Sequence, residues 1–270
     1  MTTVSSGQTQ NVSSGQSVSN TNVLFGGTEY VSSGGMADTT LLSGVIEDYG
    51  IVSGATVFSG GAEYVYSGGL DTGTTVSSGG VEYVLSGGST VSTSLDGFAI
   101  QYVSSGGHTT GTLLTTGDTQ YVSSGGITSG TVISGAGDYQ YVSAGAIAFG
   151  TVLSGNSNNY SYQILSGGTA SGTSVQSGAA QELYSGALAV STTVSSGGGV
   201  QVIYSGGIAS ATTISNGGTE WVSGGGTDSS AIVLGDGIDV VYSGGADIGT
   251  ILSSGAIEYV EVVPLLETPG

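Results

Sequence analysis

The chain has 270 residues, of which 53 are Gly, one is His and none is Lys, Arg or Cys, and its formal net charge is −19. Because it has no basic side chain to neutralise phosphates, nucleic-acid binding is excluded, and anionic lipid surfaces and phosphate-bearing cofactors are disfavoured as partners. Hydrophobic residues make up 37% of the chain and are mostly strand formers, so ordered β structure is favoured over disorder.

The chain begins MTTVSSGQTQ, which has neither the basic nor the apolar segment of a secretory signal peptide. No run of about 18 apolar residues follows, so we expect no membrane-spanning helix and no membrane insertion. The absence of Cys is compatible with a bacterial surface protein and with many other classes.

From residue 11 onward one short pattern recurs. Its reference position is aromatic in most copies and lies just ahead of a Gly-containing turn. The reference positions are Asn11, Tyr30, Tyr49, Tyr64, Tyr83, Tyr102, Tyr121, Tyr141, Gln163, Glu182, Val202, Trp221, Val240 and Tyr259. Nine of the thirteen intervals between them are 19 residues long. The other intervals differ by short deletions or insertions, so the chain is a true repeat array.

Each copy contains two strand-like halves separated by Gly-rich turns. An apolar residue follows the reference position in nearly every copy, as at Val84 and Val103. A second apolar residue lies 12 positions after the reference, as at Leu95 and Leu114, and Thr precedes it by two positions, as at Thr93. Because Gly supplies turns every few residues, helices are excluded.

Short strands and tight turns at this period predict that each copy forms one coil of a β-solenoid. Each strand would pair in register with the same strand of the next coil, so like residues would stack about 4.7–4.9 Å apart. We predict an all-β solenoid of about 14 coils with a 19-residue period over residues 1–262, followed by a tail or linker at 263–270. The interior is expected to be dry and aliphatic, with Val84 and Val103 as neighbours in adjacent layers.

The reference positions should face outwards, because strand side chains alternate and the next residue faces the core. They predict an aromatic stripe along one side of the rod. This candidate interaction stripe consists of Tyr30, Tyr49, Tyr64, Tyr83, Tyr102, Tyr121, Tyr141, Trp221 and Tyr259. In three copies without an aromatic there, Tyr184, Tyr204 and Tyr242 lie two residues later. The rings could serve only to stabilise neighbouring strands, or they could stack on sugar rings or on a partner.

The residue before the reference position is Gln or acidic in all copies but one. This column reads Gln10, Glu29, Asp48, Glu63, Glu82, Gln101, Gln120, Gln140, Tyr162, Gln181, Gln201, Glu220, Asp239 and Glu258. Because buried carboxylates are costly, we expect the column at an exposed corner, with the amides forming a ladder. Like charges about 5 Å apart cost only about 1 kcal/mol in water, so no counterion is required. A divalent cation could still bridge Glu220, Asp239 and Glu258, although the Asp-rich nonapeptide of calcium β-rolls does not occur.

No residue pattern indicates catalysis. A Ser nucleophile needs an adjacent base, and His108 follows two Gly residues in a predicted turn, away from acidic residues. The acidic residues follow the repeat, and the largest interruption, residues 156–162, contains no acid. We therefore expect no enzymatic activity, no cofactor and no resident metal ion.

Units such as YVSSGGITSGTVISGAGDYQYVSAG at residues 121–145 resemble the AIDA-type repeat of autotransporter adhesins. Similar arrays occur ahead of hedgehog/intein-type domains, for which residues 263–270 could be a linker. The resemblance implies a right-handed single-stranded β-helix, displayed on the bacterial cell surface or outside the cell. It also implies a role in adhesion, autoaggregation or biofilm formation, through self-association or binding to glycans or proteins of host or bacterial surfaces. Ser and Thr side chains would permit O-glycosylation.

Two other hypotheses remain open. Exposed strand edges recruit other chains, so the solenoid could instead be a fibre subunit that stacks end to end. Electron microscopy would separate rods of one length from long filaments. The Thr column could also form an ice-binding array, but an apolar residue occupies the place where a paired Thr would be expected.

Overall fold

The computed structural model describes residues 1–155, 160–195 and 197–261. In this part of the chain the regular elements are all strands, arranged in two 14-stranded sheets and one 13-stranded sheet. We call these sheets A, B and C, in the order in which each coil contributes to them. The described residues include no helix long and apolar enough to cross a membrane. The predicted β-solenoid is confirmed, whereas the predicted tail at 263–270 lies outside the described residues.

The strands of each sheet recur once per coil. Sheet A contains Thr2–Val4, Thr21–Val23, Leu41–Leu42, Thr56–Val57, Thr75–Ser77, Ser94–Asp96, Leu113–Thr116, Val132–Ala136, Val152–Leu153, Ser174–Val175, Thr193–Val194, Thr213–Ile214, Ile232–Val233 and Ile251–Leu252. Sheet B contains Thr9–Val12, Thr28–Val31, Val45–Asp48, Ala62–Val65, Val81–Val84, Ile100–Val103, Thr119–Val122, Tyr139–Ser143, Ser161–Ser166, Ala179–Leu183, Val200–Ile203, Thr219–Val222, Ile238–Val241 and Ile257–Val260. Sheet C contains Ser17–Ser19, Met36–Asp38, Ile51–Ser53, Leu70–Thr72, Ser89–Val91, His108–Thr110, Ile127–Ser129, Ile147–Phe149, Thr169–Ser171, Leu188–Val190, Ile208–Ser210, Thr227–Ser229 and Ala246–Ile248.

Successive coils stack in register through parallel pairing. Val84 pairs with Val103, and both side chains are fully buried, as predicted. Leu95 and Leu114 pair in the same way in sheet A and are also fully buried. Identical residues of successive coils therefore stack on one another in the core.

Each described coil except the last has three strands, so the prediction of two was incomplete. The strands of sheet C point only one side chain inwards, and it is often small or polar, as at Ala148 and Thr109. Sheet C therefore lacks the repeated large apolar residue that marks sheets A and B in the sequence.

The third coil is shifted relative to the predicted register. Glu47, and not Tyr49, pairs with both Tyr30 and Tyr64. The next residue, Asp48, therefore pairs with Val65 and lies in the apolar column that follows the reference positions, which we call the Val column. The turns that join strand Val45–Asp48 to the strands before and after it each contain two residues instead of four. The four-residue deletion is thus shared equally by two turns.

The ninth coil is shifted by one residue. Ile164 pairs with Tyr141, and Gln163 pairs with Gln140. Gln163 is therefore not a reference residue, and Tyr162 does not interrupt the Gln column. In the observed register the Gln column contains Gln163 in this coil. The additional residues of the coil lie before strand Ser161–Ser166.

The Gly-Gly pair of the turn from sheet B to sheet C is required by its geometry. Gly87 has φ of 76°, a left-handed conformation that favours Gly. A Cβ on Gly87 would lie 2.7 Å from Ser67 Oγ of the preceding coil, and one on Gly88 would lie 2.3 Å from the Val65 carbonyl oxygen. Larger residues would therefore separate the stacked turns.

The interior contains two aliphatic clusters. One is dominated by the apolar column of sheet A, including Leu95 and Leu114. The other combines the apolar column of sheet B with Ala residues of sheet C, including Val103 and Ala148. The interior is therefore not a single aliphatic core, and the space between the two clusters contains polar side chains.

Candidate functional site

Apart from the partly buried Gln10 and Glu258 at its two ends, the column of Gln and acidic residues in sheet B is buried, against the prediction of an exposed corner. Gln101, Gln120, Glu63, Glu82 and Glu220 are all 0% exposed. Strand alternation persists through this column, so the side chains point inwards beside the apolar column. The feature that makes this arrangement possible is the hydrogen bonding of the amides.

Six Gln side chains form a continuous ladder in successive coils. The members of this amide ladder are Gln101, Gln120, Gln140, Gln163, Gln181 and Gln201. After the first, each Nε2 donates to the Oε1 of the preceding Gln at 2.6–2.7 Å. The hydroxyls of the Thr residues that directly precede the sheet A strands donate to the same Oε1 atoms at 3.0–3.2 Å. The predicted ladder is thus real, but it lies inside the solenoid and fills the space between the two aliphatic clusters.

The ladder has a direction, with its donors facing the N-terminal coils. At that end Gln101 Nε2 donates to Glu82 Oε2, so a donor meets a carboxylate. At the other end Gln201 Oε1 accepts from the Thr212 hydroxyl, and the next residue in register is Glu220. Both carboxylate oxygens of Glu220 lack a hydrogen-bond partner. The two ends of the ladder are therefore electrostatically different.

Glu63, Asp71 and Glu82 form an N-terminal acidic cluster. Their carboxylate oxygens lie within 4.8 Å of one another, and all three residues are buried. Desolvation raises the pKa of Glu63 and Asp71 well above the ordinary range, and the neighbouring carboxylates raise it further. The pKa of Glu82 is also raised by burial, although hydrogen bonds from Gln101 and Thr93 oppose the shift.

A second acidic group lies in the last described coils. Burial raises the pKa of Asp228 and Asp239 to about 7, and nearby Asp247 adds to both shifts. The residues proposed to share a cation, Glu220, Asp239 and Glu258, are not all brought together. Carboxylate oxygens of Asp239, Asp247 and Glu258 lie within 4.8 Å of one another. The pKa of Glu220 is raised by burial and, to a lesser extent, by the charges of Asp228 and Asp239. A cation shared by Glu220, Asp239 and Glu258 stays a prediction.

The outer face of sheet B carries the aromatic stripe as a stack of Tyr rings. Tyr64, Tyr83, Tyr102, Tyr121 and Tyr141 follow one another at centroid distances of 4.7–5.2 Å, with ring planes within 11° of parallel. Each inner ring in this run has both faces covered by its neighbours. The stack therefore presents ring edges and hydroxyls to solvent and leaves no face for a sugar ring.

Other members of the predicted stripe lie differently. Tyr49 is displaced by the register shift and stacks on Tyr66 at 4.4 Å. Among the described residues, Trp221 and Tyr259 do not join the ring stack, and they are 39% and 58% exposed. Glu47 occupies the predicted place of Tyr49 in the column.

Several aromatic residues extend the stack beyond the predicted members. Tyr66 lies beside Tyr64, and Tyr139 continues the stack from Tyr141 to Tyr162. The signal for them was present in the sequence, because each lies two residues from a reference or ladder-strand position on the same outward face. Only Tyr184, Tyr204 and Tyr242 were predicted as aromatic residues at this two-residue offset. Of these three, Tyr184 and Tyr204 stack at a centroid distance of 4.6 Å.

Between Tyr162 and Trp221 the stack is displaced to Tyr184 and Tyr204, and small residues occupy the positions in register with Tyr162 and Trp221. Ala180 follows Tyr162 in register, and Val202 precedes Trp221. A groove of about 220 Å³ lies here. It is lined by Tyr160, Tyr162, Ala180, Glu182, Val200, Val202, Tyr204 and Trp221. We call it the aromatic groove. It is the part of the stripe where aromatic side chains line a groove.

Glu182 supplies the charge of the aromatic groove. Its Oε2 accepts a hydrogen bond from the Tyr184 hydroxyl at 2.8 Å. Desolvation raises the pKa of Tyr184, and the adjacent carboxylate raises it further. The groove thus combines apolar walls with a half-buried carboxylate that can accept further hydrogen bonds. His108, by contrast, is exposed at the start of strand His108–Thr110, and not within a turn as predicted.

These features define a repeat β-solenoid of the passenger type, with a polar ladder inside and an interrupted aromatic stripe outside. Its fold matches the crystal structure of a TibA fragment, residues 55–350, hyper-glycosylated by TibC. The TM-score is 0.90 and the identity is 37%, over 97% of this chain and 96% of the TibA fragment. This chain belongs to the AIDA-type repeat family of autotransporter adhesin passengers.

Two other solved structures are distant. The Dettilon tailspike protein (gp208) is 12% identical, with a TM-score of 0.31 over 96% of this chain and 61% of the tailspike. The Streptococcus pneumoniae surface protein and adhesin PfbA is 6% identical, with a TM-score of 0.25 over 80% of this chain and 91% of PfbA. No protein-family model and no curated protein sequence matches the chain.

Proposed function

We propose that the chain is a non-enzymatic adhesive module, displayed on the bacterial cell surface or outside the cell, that binds carbohydrate in the aromatic groove. The observation that carries the adhesive role is the similarity to the TibA fragment over nearly the whole of both chains. Adhesion, autoaggregation and biofilm formation would all follow from contact between such rods and surface glycans.

The stacking geometry supports the aromatic groove as the contact site. A sugar ring binds by laying its C–H face on an aromatic face, while its hydroxyls donate hydrogen bonds to a few polar groups. Between Tyr64 and Tyr141 the inner ring faces are covered, but Tyr162 and Trp221 border the aromatic groove. Glu182 offers an acceptor in the same groove. A neutral sugar is favoured over an acidic one, because the net charge of the chain is −19.

The test is a glycan array followed by titration of the best-bound neutral oligosaccharide. Trp221 is the only Trp of the chain, so its fluorescence reports on the groove directly. We expect Tyr162→Ala and Glu182→Gln each to weaken binding by roughly tenfold, equivalent to about 1.4 kcal/mol. The matched control is Tyr102→Ala, which removes a ring from the covered part of the stack and should leave binding unchanged.

Two results would contradict carbohydrate binding in the groove. One is equal affinity of the Tyr162→Ala chain and the unaltered chain for the same oligosaccharide. The other is an empty glycan array combined with concentration-dependent growth in light scattering, which would make self-association the adhesive interaction.

We further propose that exposed Ser side chains accept O-linked sugars, because the similar TibA fragment is hyper-glycosylated by TibC. Ser67, Ser86 and Ser105 are exposed in successive turns between sheets B and C. Co-expression with TibC should therefore add multiple sugar masses in intact-mass spectrometry. An unchanged mass in the presence of TibC that modifies TibA would contradict the proposal.

A second candidate function is end-to-end stacking into a fibre. In the last described coil, Leu252 and Val260 belong to the apolar core columns but are 45% and 58% exposed. An apolar end of this kind could receive the first coil of another chain. Negative-stain electron microscopy of the purified chain decides between rods of one length, which contradict the fibre, and filaments, which support it.

A further inference from the structure

The N-terminal acidic cluster has the geometry of a ligand set inside the solenoid. Glu63, Asp71 and Glu82 come from strands Ala62–Val65, Leu70–Thr72 and Val81–Val84, and each offers one oxygen within 4.8 Å of the others. Around Ca²⁺, with Ca–O distances of about 2.3–2.6 Å, two ligand oxygens can be up to roughly 5 Å apart. A single ion can therefore contact all three carboxylates.

Several polar atoms in the cluster lack a partner. Both carboxylate oxygens of Glu63 and Oδ2 of Asp71 have no hydrogen bond, although the two residues are 0% exposed. Thr90, the register neighbour of Asp71, is 1% exposed and its hydroxyl is also unpartnered. Buried polar groups nearly always have partners, so these atoms indicate a missing ligand.

Asp118 shows that a buried acid can be satisfied by hydrogen bonds in this fold. Asp118 is also 0% exposed, but its Oδ1 accepts from the Ala99 amide at 2.9 Å. Its Oδ2 accepts from the amides of Thr115 and Thr116 at 2.9 and 3.0 Å. Unpartnered oxygens also remain at buried acids outside the cluster, such as Glu29 and Glu220. Among the described residues, however, only the N-terminal acidic cluster brings three buried acids together with carboxylate oxygens within 4.8 Å of one another.

The chain has no cationic side chain to neutralise the cluster. Lys and Arg are absent from the sequence, and the single His, His108, is exposed in another coil. The ionised carboxylates repel one another in a desolvated space, so a positive charge from solution is needed to keep them ionised. A donor set of carboxylate oxygens selects hard ions such as Ca²⁺ and Mg²⁺ over soft ones.

From this geometry we propose that Glu63, Asp71 and Glu82 bind one divalent cation, Ca²⁺ in preference to Mg²⁺, in the interior of the solenoid. Ca²⁺ accepts irregular oxygen sets, whereas Mg²⁺ demands near-ideal octahedral geometry. Because the site is closed to solvent, the ion enters while the coils assemble. It then clamps two successive coils together just before the first residue of the amide ladder.

The experiment compares chains refolded from denaturant with EDTA, with Ca²⁺ or with Mg²⁺. Bound metal is measured by mass spectrometry of the desalted protein, and the unfolding midpoint Tm by circular dichroism. Ca²⁺ should remain bound to the unaltered chain and raise its Tm by roughly 4–8 °C, more than Mg²⁺ does.

Glu63→Gln is the test variant, because the amide ladder shows that this column accepts Gln. It should retain one Ca²⁺ fewer per chain than the unaltered protein and lose most of the Tm shift. Glu29→Gln is the matched control, since Glu29 is buried in the same column outside the cluster, and it should behave like the unaltered chain. Both variants retain the second acidic group, Asp239, Asp247 and Glu258. An ion bound there therefore contributes equally to both and cancels in the comparison. If Glu63→Gln does not refold, Asp71→Asn takes its place.

Two results would overturn the proposal. In the first, the Glu63→Gln chain retains as much Ca²⁺ as the unaltered chain and shows the same Tm shift. In the second, neither divalent ion binds to the unaltered chain or changes its Tm, which would mean that protons alone neutralise the cluster.

Discussion

The two ends of the amide ladder have the same sequence change, an acidic residue in place of Gln, but opposite hydrogen-bonding situations. At the N-terminal end, Gln101 donates to Glu82, and the Thr93 hydroxyl also donates to this carboxylate at 3.3 Å. At the C-terminal end, Gln201 turns its Oε1 towards the coil of Glu220, whose oxygens have no partner. A carboxylate can only accept hydrogen bonds, so it suits the donor end of the ladder and not the acceptor end.

This difference shows that residue type alone does not decide the cost of a buried acid. The direction of the neighbouring amides decides it as well. Once one Gln donates towards the N terminus, the next is held in the same orientation by its own neighbour, and the whole ladder becomes directional. The following predictions change one side chain at a time, in order of decreasing expected effect.

Breaking the ladder in its middle should have the largest effect. Gln140→Glu removes the donors to Gln120 Oε1 at 2.7 Å and to the Thr128 hydroxyl at 3.3 Å. It also creates a buried carboxylate, so the free energy of unfolding should fall by about 4 kcal/mol at neutral pH. Urea unfolding measures this change. The control is Gln16→Glu at an exposed turn, where a loss of similar size would contradict the role of the ladder.

Repairing the mismatched end should stabilise the chain. In Glu220→Gln the new Nε2 can donate to Gln201 Oε1, which extends the ladder by one coil. We expect the free energy of unfolding to rise by about 3 kcal/mol at pH near 8. The gain should shrink towards pH 4, because the raised pKa of Glu220 leaves the carboxyl protonated in the folded chain. Glu261→Gln, at an exposed position, should change stability little, and an equal gain there would refute the explanation.

Asp48 is a buried acid that does not belong to the column of the amide ladder, because it pairs with Val31 and Val65. A substitution of Asp48 therefore measures the effect of burial without that of the ladder. Burial raises its pKa from 3.8 to about 7, helped by Asp71 and opposed by a hydrogen bond from the Gly50 amide. Between these pKa values the folded chain holds a proton that the unfolded chain releases. The free energy of unfolding therefore falls as pH rises from about 4 to about 7.

Asp48→Val should remove this part of the pH dependence. Its register neighbours Val31 and Val65 offer an apolar column, so we expect a gain of about 2 kcal/mol near pH 8 and almost none near pH 4. Thermal unfolding in EDTA across this range measures the difference, which includes the loss of the electrostatic effect of Asp48 on Glu63 and Asp71. A pH-independent gain would show that Asp48 is ionised in the folded state throughout.

The smallest effect is expected on the outer face. Tyr102→Ala removes contacts with Tyr83 at 5.2 Å and Tyr121 at 5.1 Å, which should cost about 1 kcal/mol. Tyr242→Ala is the control, because Tyr242 is 42% exposed and has no ring contact among the described residues. Equal losses in the two variants, measured by urea unfolding, would mean that ring stacking does not stabilise the solenoid.

The period, the apolar columns and the stacking of Val84 on Val103 were predictable from the sequence. In a solenoid each coil repeats the environment of the last, so a local pattern written many times reports the global fold. The aromatic stripe was predictable for the same reason, because outward residues of one sheet recur at the same interval. This kind of information is local, and it fails where the turns change length, as around Glu47 and Ile164.

The tertiary structure alone decided the direction of the Gln column, the third strand and the position of the aromatic groove. The burial of Gln140 depends on hydrogen bonds with Gln120 and Gln163, which are 20 and 23 residues away in the sequence. Whether a Tyr face is open depends likewise on which ring the adjacent coil places beside it. The sequence by itself determined that the coils stack and which apolar residues fill them. The contacts between coils determined which polar groups are satisfied, because a hydrogen bond needs a donor and an acceptor that different coils supply.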